Sequence, residues 1–155
     1  MAKLFTVCIV QREGAVLLGR KKRGFGAGLW NGFGGKVEAG ETPEEAVVRE
    51  TQEEAGIRVN GLRKRGIITF TFEGKTEPME VHFWSTSEFA GEPSETEEMS
   101  PRWFPVGALP YDDMFADDRH WFPLLLAGKD FGGRAHFKDE YTIISHDIRE
   151  TDDVR

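Results

Sequence analysis

Residues 35–57 constrain this chain more than any other stretch, because a complete set of helix start and stop signals surrounds a run of glutamates there. The segment reads Gly35-Lys36-Val37-Glu38-Ala39-Gly40-Glu41-Thr42-Pro43-Glu44-Glu45-Ala46-Val47-Val48-Arg49-Glu50-Thr51-Gln52-Glu53-Glu54-Ala55-Gly56-Ile57, a glycine-rich loop running into a helix. Thr42 with Glu45 three residues later forms a capping box, Pro43 suits the first helical position, and Gly56 turns left-handed most easily after a last turn. At about 100° per residue, Ala46, Glu50, Glu53 and Glu54 share one side of that helix. Val47, Val48, Thr51 and Ala55 form its apolar side, while Glu45, Arg49 and Gln52 face away. Glu50, Glu53 and Glu54 are neighbours at a spacing where like charges repel by about 0.2–0.5 kcal/mol per pair. Clustered hard oxygens on a rigid element are what Mg²⁺ or Mn²⁺ requires. The stripe is therefore expected to be a metal platform, with a solvated acidic face as the plainer reading.

Written as a pattern, the segment is Gly35, five residues, Glu41, seven residues, Arg49-Glu50, two residues, Glu53-Glu54, one residue, Gly56 and the aliphatic Ile57. It resembles the Nudix box at every charged and glycine position. Thr51 departs, standing where that family usually has an aliphatic residue, and is expected to cost some packing under the helix while leaving the ligands in place. The resemblance implies a Nudix α/β/α sandwich with a mixed β-sheet and the loop–helix at its centre. It also implies hydrolysis of a nucleotide phosphoanhydride with Mg²⁺ as cofactor, Mn²⁺ being a possible substitute.

The remainder fits one domain over residues 1–155, long enough to bury roughly two-thirds of its unfolded surface, with no repeat, low-complexity tract or proline-rich linker. Residues 5–10 and 15–18 read as strands around a turn at Arg12-Glu13-Gly14. Residues 66–73 alternate, with Ile68, Phe70 and Phe72 on one face, and residues 79–85, 103–104, 134–137 and 141–148 read as further strands. Residues 118–126 read as a second helix ending near Gly128, and the charged tail, 149–155, is expected to fray. Strands on both sides of one central helix, with another helix near the end, also describe an α/β/α sandwich on a mixed sheet. The net charge of −7 argues against duplex nucleic acid or an anionic membrane as partner, since either calls for a basic face. A nucleotide's charge can be met locally. The one cysteine, Cys8, excludes an internal disulfide and reads as a small core residue in a reducing compartment. With no secretory or transit signal and no apolar run of membrane-spanning length, a cytoplasmic monomer is expected.

Lys21-Lys22-Arg23-Gly24-Phe25-Gly26-Ala27-Gly28 is a basic, glycine-spaced loop of the kind that closes on a polyphosphate. Residues 21–37 resemble, beyond the box, a branch of the Nudix family in animals. These MutT homologues hydrolyse oxidised purine nucleoside triphosphates, such as 8-oxo-dGTP and 2-hydroxy-dATP, to the monophosphate and pyrophosphate, sanitising the nucleotide pool. The resemblance covers nearly the whole chain. It implies base or phosphate contacts from Thr6, Lys21, Phe25, Asn31, Phe33, Gly34, Gly35, Lys36, Phe70, Phe72, Met79, Phe115, Asp117, Asp118 and Trp121. It implies metal ligation by the Gly34 carbonyl with Glu50, Glu53, Glu54 and Glu98. Plainer readings exist for several: Phe70, Phe72 and Met79 as core, Asp117 as a helix cap, Glu98 as part of an acidic loop. Phe115 stands where that branch has tryptophan, and its smaller ring predicts weaker base affinity or broader selection.

On chemical grounds water is the nucleophile and Lys21 or Lys36 offsets charge on the leaving phosphate. Glu53, beside Arg49, is the expected base, with Glu50 and Glu54 mainly ligands. Asp117 and Asp118 repel as twin anions, so one is expected to hold a proton and donate while the other accepts, with Asn31 as an adaptable amide. Two alternatives remain. One is a hydrolase of another nucleoside diphosphate-linked substrate, such as a dinucleotide polyphosphate, a nucleotide sugar or ADP-ribose. The other is a non-catalytic nucleotide sensor, against which the intact Glu50, Glu53 and Glu54 speak. His82, His120, His136 and His146 fall at no ligand spacing.

Overall fold

In the computed structural model, which describes residues 2–154, the strand β1 (Lys3–Arg12) is the hub. One edge pairs in parallel with β7 (Met79–Thr86). Its other edge is shared: β2 (Ala15–Lys21) takes residues 10–12 and β4 (Phe33–Lys36) takes residues 5–8, both antiparallel. The main sheet runs β11 (Thr142–Glu150), β10 (Phe131–Asp139), β6 (Arg63–Phe72), β7, β1, β2 and β3 (Trp30–Asn31), with β9 (Met99–Pro105) also along β2. The β10–β6 and β1–β7 pairings are parallel and the others antiparallel, so the sheet is mixed. A separate ribbon pairs β5 (Arg58–Asn60) with β8 (Glu88–Ala90).

Side chains alternate across a strand, and β1 therefore feeds two cores. Cys8 and Val10 join Phe33, Val47, Ala55 and Ile57 under α1 (Pro43–Ala55). Ile9 joins Ile68, Phe83, Trp121, Phe122 and Phe131 under α2 (Asp118–Leu126) on the opposite face. The result is the α/β/α sandwich. The helix α1 begins with the expected capping box, in which the Glu45 N–H donates to Thr42 Oγ1 (3.1 Å) and the Thr42 N–H to Glu45 Oε1 (2.8 Å). It stops at Gly56, whose φ of 72° is left-handed.

The structure differs from the sequence reading at several places. Residues 33–36, read as loop, are strand β4, because the glycines let its backbone press against β1: a Cβ on Gly34 would lie 1.8 Å from the Thr6 carbonyl oxygen. The strand β9 begins at Met99, four residues before the expected Trp103. Arg149 and Glu150 belong to β11, held by pairing with Gly132 and Phe131, so they are not part of a fraying tail; Arg155 lies outside the described residues. Thr51 is fully buried, and its hydroxyl donates to the Val47 carbonyl at 2.7 Å, which satisfies it within the helix. Arg65, unremarkable in the sequence, is 4 % exposed and anchors the end of α2. Its guanidinium donates to Asp130 (3.0 Å), Ser85 (3.1 Å) and the carbonyls of Leu125 (3.1 Å) and Lys129 (3.0 Å).

Candidate active site

A cavity of about 390 Å³ lies where the two cores meet beside β1. Its floor is the apolar face of the sheet, with Phe70 and Phe72 from β6, Met79, Val81 and Phe83 from β7, and Phe137 from β10. One end reaches Asp117 and Asp118 at the start of α2; the other reaches Gly34, Gly35 and Glu54 beside α1. Thr6, Lys21, Phe25, Asn31 and Phe115 complete the walls together with Phe5, Val7 and Met99. The side-chain oxygen of Asn31 accepts the Gly32 N–H at 2.8 Å, which leaves its amide NH₂ as a donor.

At the acid end both aspartates are buried. Asp117 Oδ2 accepts the Trp121 indole N–H at 2.8 Å. Asp117 is not a side-chain cap, as the sequence suggested: its own backbone is already helical, and its carboxylate makes no cap bond. Asp118 Oδ2 is buried with no hydrogen-bond partner among the described residues. Burial raises the Asp117 carboxyl above its ordinary range, with the Trp121 bond opposing. Burial and the adjacent Asp117 charge raise Asp118 well above its own. Two desolvated carboxyls in contact cannot both ionise freely, so the pair retains a proton that it can donate.

At the glutamate end the three carboxylates stand in different surroundings. Glu54 is buried, accepts the Gly34 N–H at 2.9 Å, and is pushed up to about 8 by burial, with the Gly34 bond opposing and Glu50 adding. Glu50 is half-buried and raised by desolvation against the pull of Arg49. Glu53 is exposed. Arg49 faces away by periodicity, yet it bends back over the loop. It donates to Glu41 (2.7 and 3.0 Å), Glu50 (2.7 Å) and the Lys36 carbonyl (3.3 Å), and reaches Glu53 only at 3.4 Å. The expected Arg49–Glu53 pair is thus the weakest of these contacts. Glu41, which the pattern contained and no role was given, is held down at about 2, chiefly by Arg49.

Three expected contact residues lie away from the cavity. Phe33 is fully buried in the α1 core, because β4 alternates and Phe33 points with Cys8. Lys36 ends β4 exposed, offering only its carbonyl to Arg49. Trp121 is stacked on Phe122 and Phe131 in the α2 core and acts on the cavity through Asp117. The expected metal set is also not a closed cluster: among the described residues no three such ligands are gathered to hold an ion. Glu54 turns to Gly34, Glu50 to Arg49, and Glu98 to Arg23 at 2.6 Å. Phe5, Val7, Val81, Phe83, Met99 and Phe137 escaped the sequence reading; alternation from Met79 carries the signal for Val81 and Phe83, whereas Phe5 and Val7 lie on the face of β1 opposite to Thr6. A wider groove of about 820 Å³ on the outer side of α1, lined by Pro43, Val48, Lys64 and Trp84, includes Arg49 but none of the carboxylates at the cavity.

A glutamate helix packed behind a glycine strand, opening on an apolar cavity with a buried acid pair, is the arrangement of a Nudix hydrolase, and the chain belongs to that family: a NUDIX domain matches residues 3–125. Its relatives include the oxidized purine nucleoside triphosphate hydrolase of Mus musculus, 50% identical over 151 residues that make up 97% of each chain. The Danio rerio protein of the same name is 49% identical, covering 99% of this chain and 98% of its own. The MutT protein crystal structure from Bacillus halodurans superposes with a TM-score of 0.83 at 30% identity, covering 94% of this chain and 97% of its own.

Family membership brings a divalent cation into the chemistry, and the residues present fit one. Glu50 and Glu54 are hard oxygen donors whose charged forms burial disfavours, so a cation beside them relieves both. A Cβ on Gly35 would come within 2.8 Å of the Glu50 carboxylate, so glycine keeps that space open. Among the described residues no helix is long and apolar enough to cross a membrane.

Proposed function

We propose that this chain hydrolyses oxidised purine nucleoside triphosphates to the monophosphate and pyrophosphate, with Mg²⁺ as its cation, as a cytoplasmic monomer. The observation that carries the reading is a single cavity with a proton-sharing acid pair at one end and a buried glutamate at the other. A purine lying on Phe70, Phe72 and Met79 meets Asp117, Asp118 and the Asn31 amide along its polar edge. Its phosphates then extend past Gly34 and Gly35 toward Glu50 and Glu54, which would hold the cation. When bound, the cation supplies Lewis acidity and acidifies coordinated water. Lys21, at the cavity wall and close enough to Glu54 to pull its charge, offsets the charge of the leaving phosphates. Glu53, the exposed one of Glu50, Glu53 and Glu54 and held only by Arg49 at 3.4 Å, takes the proton of the attacking water.

Pyrophosphate release with Mg²⁺ is the test, across 8-oxo-dGTP, 2-hydroxy-dATP, the undamaged triphosphates, ADP-ribose and diadenosine polyphosphates. Fastest turnover of an oxidised purine triphosphate is expected. Preference for a linked dinucleotide or for ADP-ribose would keep the hydrolase chemistry and overturn the assignment of the cavity.

A further inference from the structure

The loop at residues 22–29 is fastened from two sides. On one side Lys22 pairs with Glu95, and Arg23 with Glu98 at 2.6 Å. On the other, the tip of the β10–β11 hairpin reaches across. Glu140 Oε1 accepts the Gly26 N–H at 2.7 Å, and the Tyr141 hydroxyl donates to the Ala27 carbonyl at 3.2 Å. Neither Glu140 nor Tyr141 lines the cavity. Between these anchors Phe25 lies stacked on Phe115 with ring centroids 5.6 Å apart, and edge-on to Phe72 at 5.7 Å. Phe25 is 44 % exposed, so its ring is the outer wall of the cavity. A third ring between Phe25 and Phe115 would need about 7 Å, twice the contact distance of two carbons, and no base enters there while the loop sits as it does. Gly24, Gly26 and Gly28 have φ of 77°, 79° and 89°, a region glycine adopts without strain. A Cβ on Gly26 would meet Phe115 at 2.6 Å, so the loop backbone rests directly on that ring.

We propose that residues 22–29 form a lid over the base end of the cavity and that Glu140 and Tyr141 are its catch. They position Phe25, and their release admits the nucleotide and frees the product. The proposal rests on the reading that the cavity takes the base. Glu140 and Tyr141 touch no substrate; they are positioning residues, and the bond from the Gly26 amide to the Glu140 carboxylate is the stronger of the two.

Hydrogen exchange of the loop, measured by mass spectrometry alongside kcat and KM for whichever triphosphate the panel favours, tests this in Glu140→Ala, Glu140→Gln and Tyr141→Phe. In Glu140→Ala, exchange across residues 24–28 is expected to speed about tenfold, with unchanged protection in β6 and β7 showing an intact fold. KM is expected to rise severalfold with kcat held or raised, as befits a lid that opens too readily. Glu140→Gln keeps an acceptor oxygen and is expected to restore both readouts toward wild type. Loop exchange unaltered in Glu140→Ala would overturn the catch. Faster exchange with unaltered KM would overturn the lid. Failure of the wild-type enzyme to hydrolyse any oxidised purine triphosphate would instead sink the substrate reading, and the exchange rates would still decide the catch.

Discussion

At the scale of single residues, Asp117 and Asp118 carry the most testable chemistry. A carboxyl whose pKa is raised by folding lends stability that is fully present below its unfolded value, ordinarily 3.8, and lost as pH rises through the folded value. Both aspartates shift upward, Asp117 to about 6, so the protein is expected to lose stability as pH rises from about 4 through 6 and beyond. Glu54 shifts in the same direction, and only a comparison isolates the pair. Asp118→Asn cannot ionise, and its urea midpoint is expected to fall less with pH than that of the wild type, while turnover drops. Parallel curves for the two proteins would refute a proton shared at this site. The resemblance to the Nudix branch picked out the aspartates in the sequence, and their adjacency gave the shared proton. That Trp121 serves Asp117 rather than a base could not be seen, since its direction depends on how α2 settles on the sheet. Phe33 and Lys36 misled for a related reason: a contiguous motif invites one role, whereas a strand sends successive side chains to opposite faces.

At the scale of elements, α1 was readable almost to the residue because its start and stop signals are local. The ties that aim its glutamates were not, because Arg49 reaches Glu41 only after the loop at residues 37–42 folds back. Glu41→Gln removes the charge that draws Arg49 away from the helix, and with it the fixed position of Glu50. It is expected to lower Mg²⁺ affinity or kcat by roughly 10- to 100-fold, the usual effect of disturbing a residue behind a ligand. Thr42→Ala, which breaks only the capping box, is expected to cost about 1 kcal/mol of stability and leave kcat in place. Mg²⁺ titrations of activity for both variants separate the two effects. Equal Mg²⁺ dependence in Glu41→Gln and wild type would show that Arg49 does not place Glu50.

At the scale of the whole molecule, the parallel pairings of β1 with β7 and β6 with β10 could be anticipated only as a class of sheet, since no local signal fixes which strands meet. Arg65 shows the same limit most clearly. It looks like one more surface cation in a basic run, but it is buried against Asp130, 65 residues away, and against the carbonyls that end α2. Arg65→Met removes the buried donor shared by Asp130, Ser85 and the carbonyls of Leu125 and Lys129, leaving Asp130 only its longer contact to Arg63 at 3.4 Å, and is expected to cost about 3 kcal/mol, read from urea unfolding. Because α2 carries Asp118 at its other end, the variant is also expected to raise KM before it unfolds; a loss below about 1 kcal/mol would place the anchor among exposed ion pairs.

Cys8 completes the picture. It lies in β1 at 0% exposure beneath α1, with its thiol pushed up to about 12 by burial, and it is the only sulfhydryl in the sequence. Thiolate is the form that oxidants and alkylating reagents attack. On the proposed function the protein meets nucleotides damaged by oxidation, and it offers no accessible sulfhydryl to the same oxidants. Its one sulfhydryl becomes reactive only when the sheet opens, which makes Cys8 a clock for unfolding in a chain whose working surface is redox-silent at cysteine.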